Sequence, residues 1–325
     1  MKNVFEGKNS IKDFLNPDSH PLLPLVELPE SMNPFLKDGV HIFAKLMYFL
    51  PLLNIKSLPA FNMLSEAEKS GKLKNVNTII ENSSGNTAFS LAITARAFGI
   101  KNMQAIVPFD IAPGKLELLR LSGVRPTLNK DIPGETSGIK KAKETGKQKG
   151  FFNPGQYENE ANPKAMEKWV APQIWDQTNG KISLFCAGLG TTGTILGVGR
   201  YLKNKSKNIK IVGVNCSPGS AIPGVRTLEK LKEISFDWNS VLDARIETDT
   251  KESFKKSLEL CQLGIMAGPS SGFALSGLLK FLEEQKNNFN ELKNEDGKVI
   301  SVFICPDTPL PYLDKYSTHL DPSDF

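Results

Sequence analysis

The segment NTIIENSSGNTAFSLAITARAFG, residues Asn77–Gly99, contains a short apolar run, a turn of small residues and a longer amphipathic stretch. The apolar run Thr78–Glu81 is typical of a buried strand. Gly85 opens a stretch whose apolar residues recur at helical spacing, and Gly99 is a typical stop signal for a helix. The segment therefore predicts one strand–helix unit of an α/β fold.

The same order of strand, turn and helix recurs along the chain. Strands that alternate with helices favour α/β architecture with mainly parallel sheets, and ligands of such folds bind at the carboxyl ends of the strands. The further predicted elements are Met103–Pro108 (strand), Pro113–Gly123 (helix), 124–128 (strand), Lys181–Lys203 (strand, turn and helix), Lys210–Asn215 (strand), Lys251–Leu263 and Ser270–Glu284 (helices) and Lys298–Cys305 (strand).

The composition changes between the two α/β blocks. Asn129–Lys181 is rich in Lys, Gly, Asn and Pro, which indicates a boundary between two lobes. We predict a smaller α/β domain at 48–165 and a larger one formed by 1–47 and 166–325, which carries the glycine-rich turn described below.

The overall composition is that of an ordinary soluble globular protein, with 325 residues, 40% hydrophobic residues and a net charge of +5. The densest basic stretch, Gly138–Gly150, contains no aromatic residue, which favours a solvated loop over a nucleic-acid surface. No apolar run is long enough to span a bilayer, and the N-terminus lacks the apolar region of a signal peptide. Neither a nucleic acid nor a membrane is expected as a partner.

Cysteine and histidine usage narrows the class further. The four cysteines are far apart and form no CxxC pair, and three of them lie in or at the end of apolar runs that resemble buried strands. These features favour a reduced, cytoplasmic protein. The three histidines form no HExxH or other metal-spaced cluster, so no metal site is predicted.

A single lysine, Lys56, interrupts the apolar stretch FLPLLNIKSLPAFNML, residues Phe49–Leu64. Lysine is among the residues least often fully buried, so two interpretations arise. In the first, the methylene groups of Lys56 lie along apolar surface and its ammonium group lies in water. In the second, the amine lies in a desolvated pocket that favours its neutral form. A neutral amine is a nucleophile that forms a Schiff base with a carbonyl compound. The stretch by itself leaves both interpretations open.

The glycine-rich turn AGLGTTGT, residues Ala187–Thr194, follows a predicted strand and opens a predicted helix. Such a turn presents backbone N–H groups and the positive end of the helix dipole, which bind phosphate. The string GLGTTG also matches the dinucleotide pattern, which expects an acidic residue about 20 residues further on. The next strand ends in Asn215-Cys216-Ser217, so a phosphate monoester is favoured over a dinucleotide. A tight turn without a ligand stays open.

Two other small-residue turns also open helices. The turn SSGNT, Ser83–Thr87, has the donors to bind a carboxylate, but its residue types are equally suited to capping the helix. The turn AGPSSG, Ala267–Gly272, places Ser270 at the start of a helix. A helix cap is the favoured interpretation of Ser270, and a hydrogen bond to a heterocyclic nitrogen is the alternative.

Taken in this order, these segments resemble the fold-type-II pyridoxal phosphate enzymes and, within them, the cysteine synthase (O-acetylserine sulfhydrylase) group. The resemblance extends from about Leu22 to Leu313. It implies a tryptophan synthase beta-like fold with two lobes, each a mainly parallel sheet flanked by helices, and with pyridoxal 5'-phosphate in the cleft between the lobes. The family is often dimeric, so a homodimer is expected.

The resemblance also implies a role for each matching residue. Lys56 would form the Schiff base, Asn86 would meet the phenolic oxygen of the cofactor and Ser270 its pyridine nitrogen. The residues that match the carboxylate-binding positions are Ser83, Ser84, Gly85, Thr87 and Gln156, and those that match the phosphate loop are Gly190, Thr191, Thr192, Gly193 and Thr194.

The implied activity is β-replacement on an activated serine-type amino acid in amino-acid biosynthesis, such as the formation of cysteine and acetate from O-acetylserine and sulfide. One alternative is the β-elimination of a serine or threonine dehydratase. A weakly catalytic member that acts as a binding protein is another, because Pro51-Leu52-Leu53-Asn54 replaces the Gly/Ser-rich lead that the family usually has before its lysine, and Leu52-Leu53 is unusual there. Thr192 and Ala88 also stand where the family usually has glycine, and Ile222–Arg226 replaces a glycine-rich stretch near the substrate mouth.

Overall fold

The computed structural model describes residues 3–83, 85–109, 111, 113–129 and 137–325. The chain divides into two compact units. Unit 1 consists of Met1–Pro21 and Lys56–Asn162, and unit 2 consists of Leu22–Ile55 and Pro163–Phe325.

The described residues form strands, α-helices and short 3₁₀ turns in alternation. The strands are β1 Leu25–Glu27, β2 Val40–Leu46, β3 Thr78–Asn82, β4 Asn102–Pro108, β5 Val124–Asn129, β6 Phe151–Phe152, β7 Leu184–Gly188, β8 Lys210–Cys216, β9 Ala244–Thr248 and β10 Val299–Cys305. The α-helices are α1 Ser10–Leu15, α2 Ser57–Lys69, α3 Asn86–Ala97, α4 Pro113–Leu121, α5 Gly138–Thr145, α6 Ala161–Trp169, α7 Ala171–Gln177, α8 Gly193–Lys205, α9 Leu228–Leu231, α10 Thr250–Gln262, α11 Pro269–Glu284, α12 Phe289–Leu292 and α13 Leu313–His319. The 3₁₀ helices are Pro17–Ser19, Leu36–Asp38, Met47–Phe49, Trp238–Val241, Lys286–Asn288, Leu310–Tyr312 and Pro322–Asp324.

Unit 1 is built on a four-stranded parallel sheet with the strand order β5-β4-β3-β6. Helix α3 packs on one face of β3 and β4, and α5 packs on the other, where Ala142 lies against Ile80 and Ile106. The apolar residues of both strands are therefore buried. Helix α2 packs against α3 and adds Met63 and Leu64 to the same apolar core. The carboxyl end of β3 leads directly to the start of α3.

Unit 2 is built on a six-stranded sheet with the order β1-β2-β10-β7-β8-β9. Its strands are parallel except for β1, which runs antiparallel to β2. Helix α11 contacts β7, β8, β9 and β10 and is buried along most of its length. It approaches the sheet closely at Gly277, where a Cβ atom would lie 2.4 Å from a methyl carbon of Val214.

The predicted α/β class with mainly parallel sheets is confirmed, and each predicted strand and helix corresponds to an element of the structure. The sequence prediction did not include β1, β2, β6 or β9. In β2, His41 and Lys45 interrupt the apolar pattern. The prediction also placed no helix in Asn129–Lys181, where the structure has α5, α6 and α7. The composition shift in that segment therefore does not exclude regular structure.

The cysteines are free thiols, and Cys186, Cys216 and Cys305 are buried in strands, as predicted. Among the described residues, no helix has both the length and the apolar character needed to cross a membrane.

Candidate active site

Lys56 immediately precedes helix α2 in unit 1. Its backbone carbonyl accepts a hydrogen bond from the Ala60 N–H at 3.1 Å, so the first turn of the helix fixes its main chain. The residue is partly exposed, while Ser57 and Leu58 beside it are buried. Its side chain thus begins at the N-terminal end of a helix that packs against α3.

The SSGNT turn connects β3 to α3. Ser83 Oγ accepts hydrogen bonds from the backbone N–H groups of Gly85 and Ala88, at 3.4 and 3.3 Å. The hydroxyl therefore supports the first turn of α3, and its own proton is not used in these two contacts. Capping and ligand binding are thus compatible roles for Ser83. Ser84, also predicted to bind the carboxylate, lies outside the described residues.

Gln156 lies against the SSGNT turn although it is 69 residues from Thr87 in sequence. Thr87 Oγ1 donates a hydrogen bond to Gln156 Oε1 at 2.8 Å, and Gln156 Nε2 donates to the Asn82 carbonyl at 2.8 Å. The Thr87 hydroxyl proton is therefore already used. A carboxylate at this turn would take its donors from Gln156 Nε2, from the Ser83 hydroxyl and from the first-turn N–H groups of α3.

The glycine-rich turn of unit 2 connects β7 to α8. Gly193 is the first residue of α8, and Thr191 Oγ1 accepts a hydrogen bond from its N–H at 3.4 Å. Thr194 is partly exposed in the first turn of this 13-residue helix. The unpaired N–H groups and the dipole of such a helix start favour an anion.

Two residues in this turn have unusual backbone surroundings. A Cβ atom on Gly190 would lie 2.1 Å from the carbonyl oxygen of Gly224, so the neighbouring backbone itself requires glycine there. Thr192 has a φ of 65°, in the left-handed region that favours glycine, and its hydroxyl donates to the Thr191 carbonyl at 2.7 Å. The backbone conformation thus explains why glycine suits position 192.

Ser270 does not cap α11, contrary to the favoured sequence interpretation. The N-cap position is Gly268, Pro269 is the first helical residue, and no side chain caps the helix. The buried Ser270 hydroxyl instead lies 3.4 Å from Asp307 Oδ1, and Tyr312 donates to Asp307 Oδ2 at 2.6 Å. Ser270 is thus held by a residue that follows the last strand, 37 positions away.

Sequence reasoning missed two acidic residues beside these turns, Glu81 and Asp307. Both are buried, with exposed fractions of 1% and 4%. Glu81 lies in β3 just before the SSGNT turn, and Asp307 lies just after β10. A charged residue at the carboxyl end of an apolar strand was the available signal, because ligand sites of α/β folds gather there.

Each unit by itself offers groups of a kind that a phosphorylated aldehyde with a ring nitrogen would use. The start of α8 offers N–H and hydroxyl groups for a phosphate, Lys56 has an amine for an aldehyde, and Ser270 has a buried hydroxyl for a ring nitrogen. Unit 1 contains Lys56 and the donors suited to a carboxylate, and unit 2 contains the glycine-rich turn and Ser270.

Residues 22–302 match the model of the family described as "Pyridoxal-phosphate dependent enzyme". The chain belongs to this family. Among curated members of the pyridoxal-phosphate dependent enzymes, the cysteine synthase of Aquifex aeolicus (strain VF5) is 32% identical over 295 residues, which cover 89% of this chain and 88% of the relative. The resemblance inferred from the sequence motifs is thereby confirmed.

Two solved structures have a similar fold. A hydrogen sulfide-producing enzyme from Fusobacterium nucleatum has a TM-score of 0.79 and 27% identity, with 91% of this chain and 98% of that chain covered. The cysteine synthase of Entamoeba histolytica has a TM-score of 0.78 and 28% identity, with 94% of this chain and 90% of that chain covered.

Proposed function

We propose that this protein catalyses pyridoxal phosphate-dependent β-replacement on an activated serine-type amino acid, with O-acetylserine and sulfide as substrates and cysteine and acetate as products. The observation that carries the proposal is the contact of Thr87 with Gln156 at the start of α3. This contact places Gln156 beside the start of α3, so that donors suited to the α-carboxylate of an amino acid lie close together. They lie in unit 1, which also contains Lys56. The cysteine synthase relatives support the same reaction class.

Each residue has a defined task in this proposal. Lys56 would hold the cofactor through its amine, and the same amine, when free, would accept the α-proton of the substrate as a general base. Gln156, Ser83 and the first-turn N–H groups of α3 bind the substrate carboxylate, which orients the Cα–H bond. When bound, pyridoxal phosphate supplies the electron sink that makes loss of this proton possible.

The remaining assigned residues hold the cofactor. Gly190–Thr194 at the start of α8 would bind its phosphate, Asn86 its phenolic oxygen and Ser270 its ring nitrogen. The Ser270 hydroxyl donates to Asp307 Oδ1 at 3.4 Å in the structure, so it would have to turn from Asp307 to donate to the ring nitrogen. Because a hydroxyl is neutral, it would leave the ring less electron-withdrawing than an Asp partner would. We expect this to favour reactions at Cβ over transamination.

The test compares the wild type with Lys56→Ala after incubation with pyridoxal phosphate. The wild type should absorb visible light, and borohydride reduction followed by peptide mapping should locate the pyridoxyl group on Lys56. Lys56→Ala should lose the covalent label and at least about 10²-fold in cysteine formation, the usual effect of removing a general base. Lys69→Ala, which changes an exposed lysine of the same helix, is the matched control.

Three outcomes would contradict the proposal. A label on another lysine would remove Lys56 from its role, and a wild type that takes up no cofactor would leave Lys56 as a surface lysine. Pyruvate or oxobutyrate formed from serine or threonine, without cysteine formation, would select the dehydratase alternative. The homodimer implied by the resemblance belongs to the proposal, and sedimentation analysis of the purified chain tests it.

The binding-protein alternative has less support in the structure than in the sequence. Of the two leucines that raised this alternative, Leu52 is buried and only Leu53 is exposed, at 51%. Turnover of a β-substituted amino acid would exclude a purely binding role.

A further inference from the structure

Glu81 is a buried acidic residue near the carboxyl end of β3. Its exposed fraction is 1%, and its neighbours Ile79 and Ile80 are also buried. A buried carboxylate is costly unless hydrogen bonds replace those it made to water. A glutamate at this position therefore requires hydrogen-bond donors around its side chain.

Three backbone N–H groups provide these donors. Glu81 Oε1 accepts from the Asn82 N–H at 2.9 Å. Glu81 Oε2 accepts from the N–H groups of Gly155 and Gln156, at 3.0 and 3.1 Å. The Asn153 side chain donates to the carbonyl of the preceding residue, Ile80, at 2.7 Å. One side chain thus joins the end of β3 to a turn more than 70 residues away.

These contacts close a ring around Gln156. The Gln156 N–H donates to Glu81, the Asn82 N–H donates to the same carboxylate, and the Gln156 side chain donates back to the Asn82 carbonyl at 2.8 Å. The amide oxygen of Gln156 accepts from Thr87 at 2.8 Å. The ring therefore fixes both the main chain and the side chain of Gln156.

We propose that Glu81 is a positioning residue that holds Gln156 in place to bind the substrate carboxylate, an inference that rests on the proposed function. Gln156 Nε2 carries two hydrogens, and the contact with Asn82 uses one of them. The other is assigned to the substrate. Its direction depends on the ring, because rotation of the amide would break the contacts with Thr87 and Asn82. Glu81 itself touches neither substrate nor cofactor in this proposal.

The variant Glu81→Gln tests this role. An amide oxygen can accept from two of the three N–H groups, but the amide nitrogen then faces a third donor, so the ring loses a contact. Glu158→Gln is the matched control: it makes the same chemical change at an exposed glutamate near the same turn, whose partner is Lys143. Glu81→Asp, which keeps the charge but shortens the side chain, is the second variant should Glu81→Gln not fold.

Two measurements separate positioning from general damage. Hydrogen–deuterium exchange of the cofactor-free chain should show faster exchange at Gly155 and Gln156 in Glu81→Gln and no change in Glu158→Gln. In the cofactor-loaded protein, absorbance titration should show about tenfold weaker binding of the amino-acid substrate, the order of effect for one hydrogen bond to a charged group. Binding of the corresponding amino-acid amide, which lacks the carboxylate, should be nearly unchanged.

The outcomes distinguish this inference from the proposed function. A wild type that takes up no pyridoxal phosphate overturns the proposed function itself. A coloured wild type beside a Glu81→Gln protein with unchanged substrate affinity, or with equal losses for the acid and the amide, overturns the role of Glu81 alone.

Discussion

Gly190 lies where two backbone segments of unit 2 come together. The Arg226 N–H donates to the Leu189 carbonyl at 2.9 Å, which brings the chain around Gly224 alongside the glycine-rich turn. The Gly224 carbonyl occupies the space that a side chain at position 190 would need. This contact sets the path of the chain into α8 independently of any ligand.

Gly190→Ala should destabilise unit 2 by about 1–3 kcal/mol, because a Cβ atom 2.1 Å from a backbone oxygen forces the main chain to move. Urea unfolding of the cofactor-free protein measures the change. Thr191→Ala, which adds no atoms at the same turn, is the control and should cost less. Wild-type stability of the Gly190→Ala protein would show that the two backbone segments separate easily.

At the scale of elements, the start of α11 is held by the segment that follows β10. The Gly268 N–H donates to the Asp307 carbonyl at 2.9 Å, while the Asp307 carboxylate accepts from Ser270 and Tyr312. The helix start, the proposed cofactor serine and the last strand are thus joined through one buried aspartate. The position of Ser270 depends on this connection and not on capping.

Tyr312→Phe should destabilise unit 2 by about 1–3 kcal/mol, because it removes a 2.6 Å hydrogen bond to a buried carboxylate. It should also speed hydrogen exchange in the first turn of α11. Tyr201→Phe, at a tyrosine whose ring lies near Lys205, is the control. Unchanged exchange at Ser270 and Ser271 in Tyr312→Phe would mean that Asp307 holds the helix start without the tyrosine.

At the scale of the whole molecule, a carboxyl group in unit 1 and an amine in unit 2 are buried, and burial shifts the pKa of each towards the neutral form. In unit 1, burial raises the pKa of Glu81 to about 7, although its hydrogen bonds act in the opposite direction. In unit 2, burial lowers the pKa of Lys45 to about 7. Lys45 Nζ donates to the Leu23 carbonyl and to the side-chain oxygens of Gln173 and Gln177, at 2.7–2.8 Å.

The two units should therefore respond to pH in opposite directions. Between about pH 4.5 and 7 the folded chain keeps the Glu81 proton that the unfolded chain loses, so this group makes unit 1 less stable as the pH rises. Between about pH 7 and 10.5 the unfolded chain binds a proton at Lys45 that the folded chain lacks, so this group makes unit 2 more stable as the pH rises.

Two probes follow the units separately. Tryptophan fluorescence during urea unfolding reports unit 2, which contains Trp169, Trp175 and Trp238. Hydrogen-exchange protection of β3 and β4 reports the stability of unit 1, and it is compared between the wild type and Glu81→Gln at each pH. Lys45→Met should reduce the increase in the stability of unit 2 with pH. Glu81→Gln should reduce the decrease in the stability of unit 1 with pH. Slopes that persist in these variants would assign the pH dependence to other groups.

The sequence by itself determined the strand–helix order, the glycine-rich turns and the family. Hydrophobic periodicity and helix stop signals act over a few residues, so Thr78–Glu81 and Gly99 were informative without any tertiary contact. The left-handed position of Thr192 is also local, and glycine at that position in the family was its signal.

Only the tertiary structure decided which distant residues meet. Three contacts join positions between 37 and 75 residues apart: Thr87 with Gln156, the hydrogen-bond ring around Gln156, and Ser270 with Asp307. Such contacts depend on how strands and helices pack, and no local pattern specifies which partner a buried polar group finds. The sequence could name candidate turns, but packing determined which donors remain for a ligand at each of them.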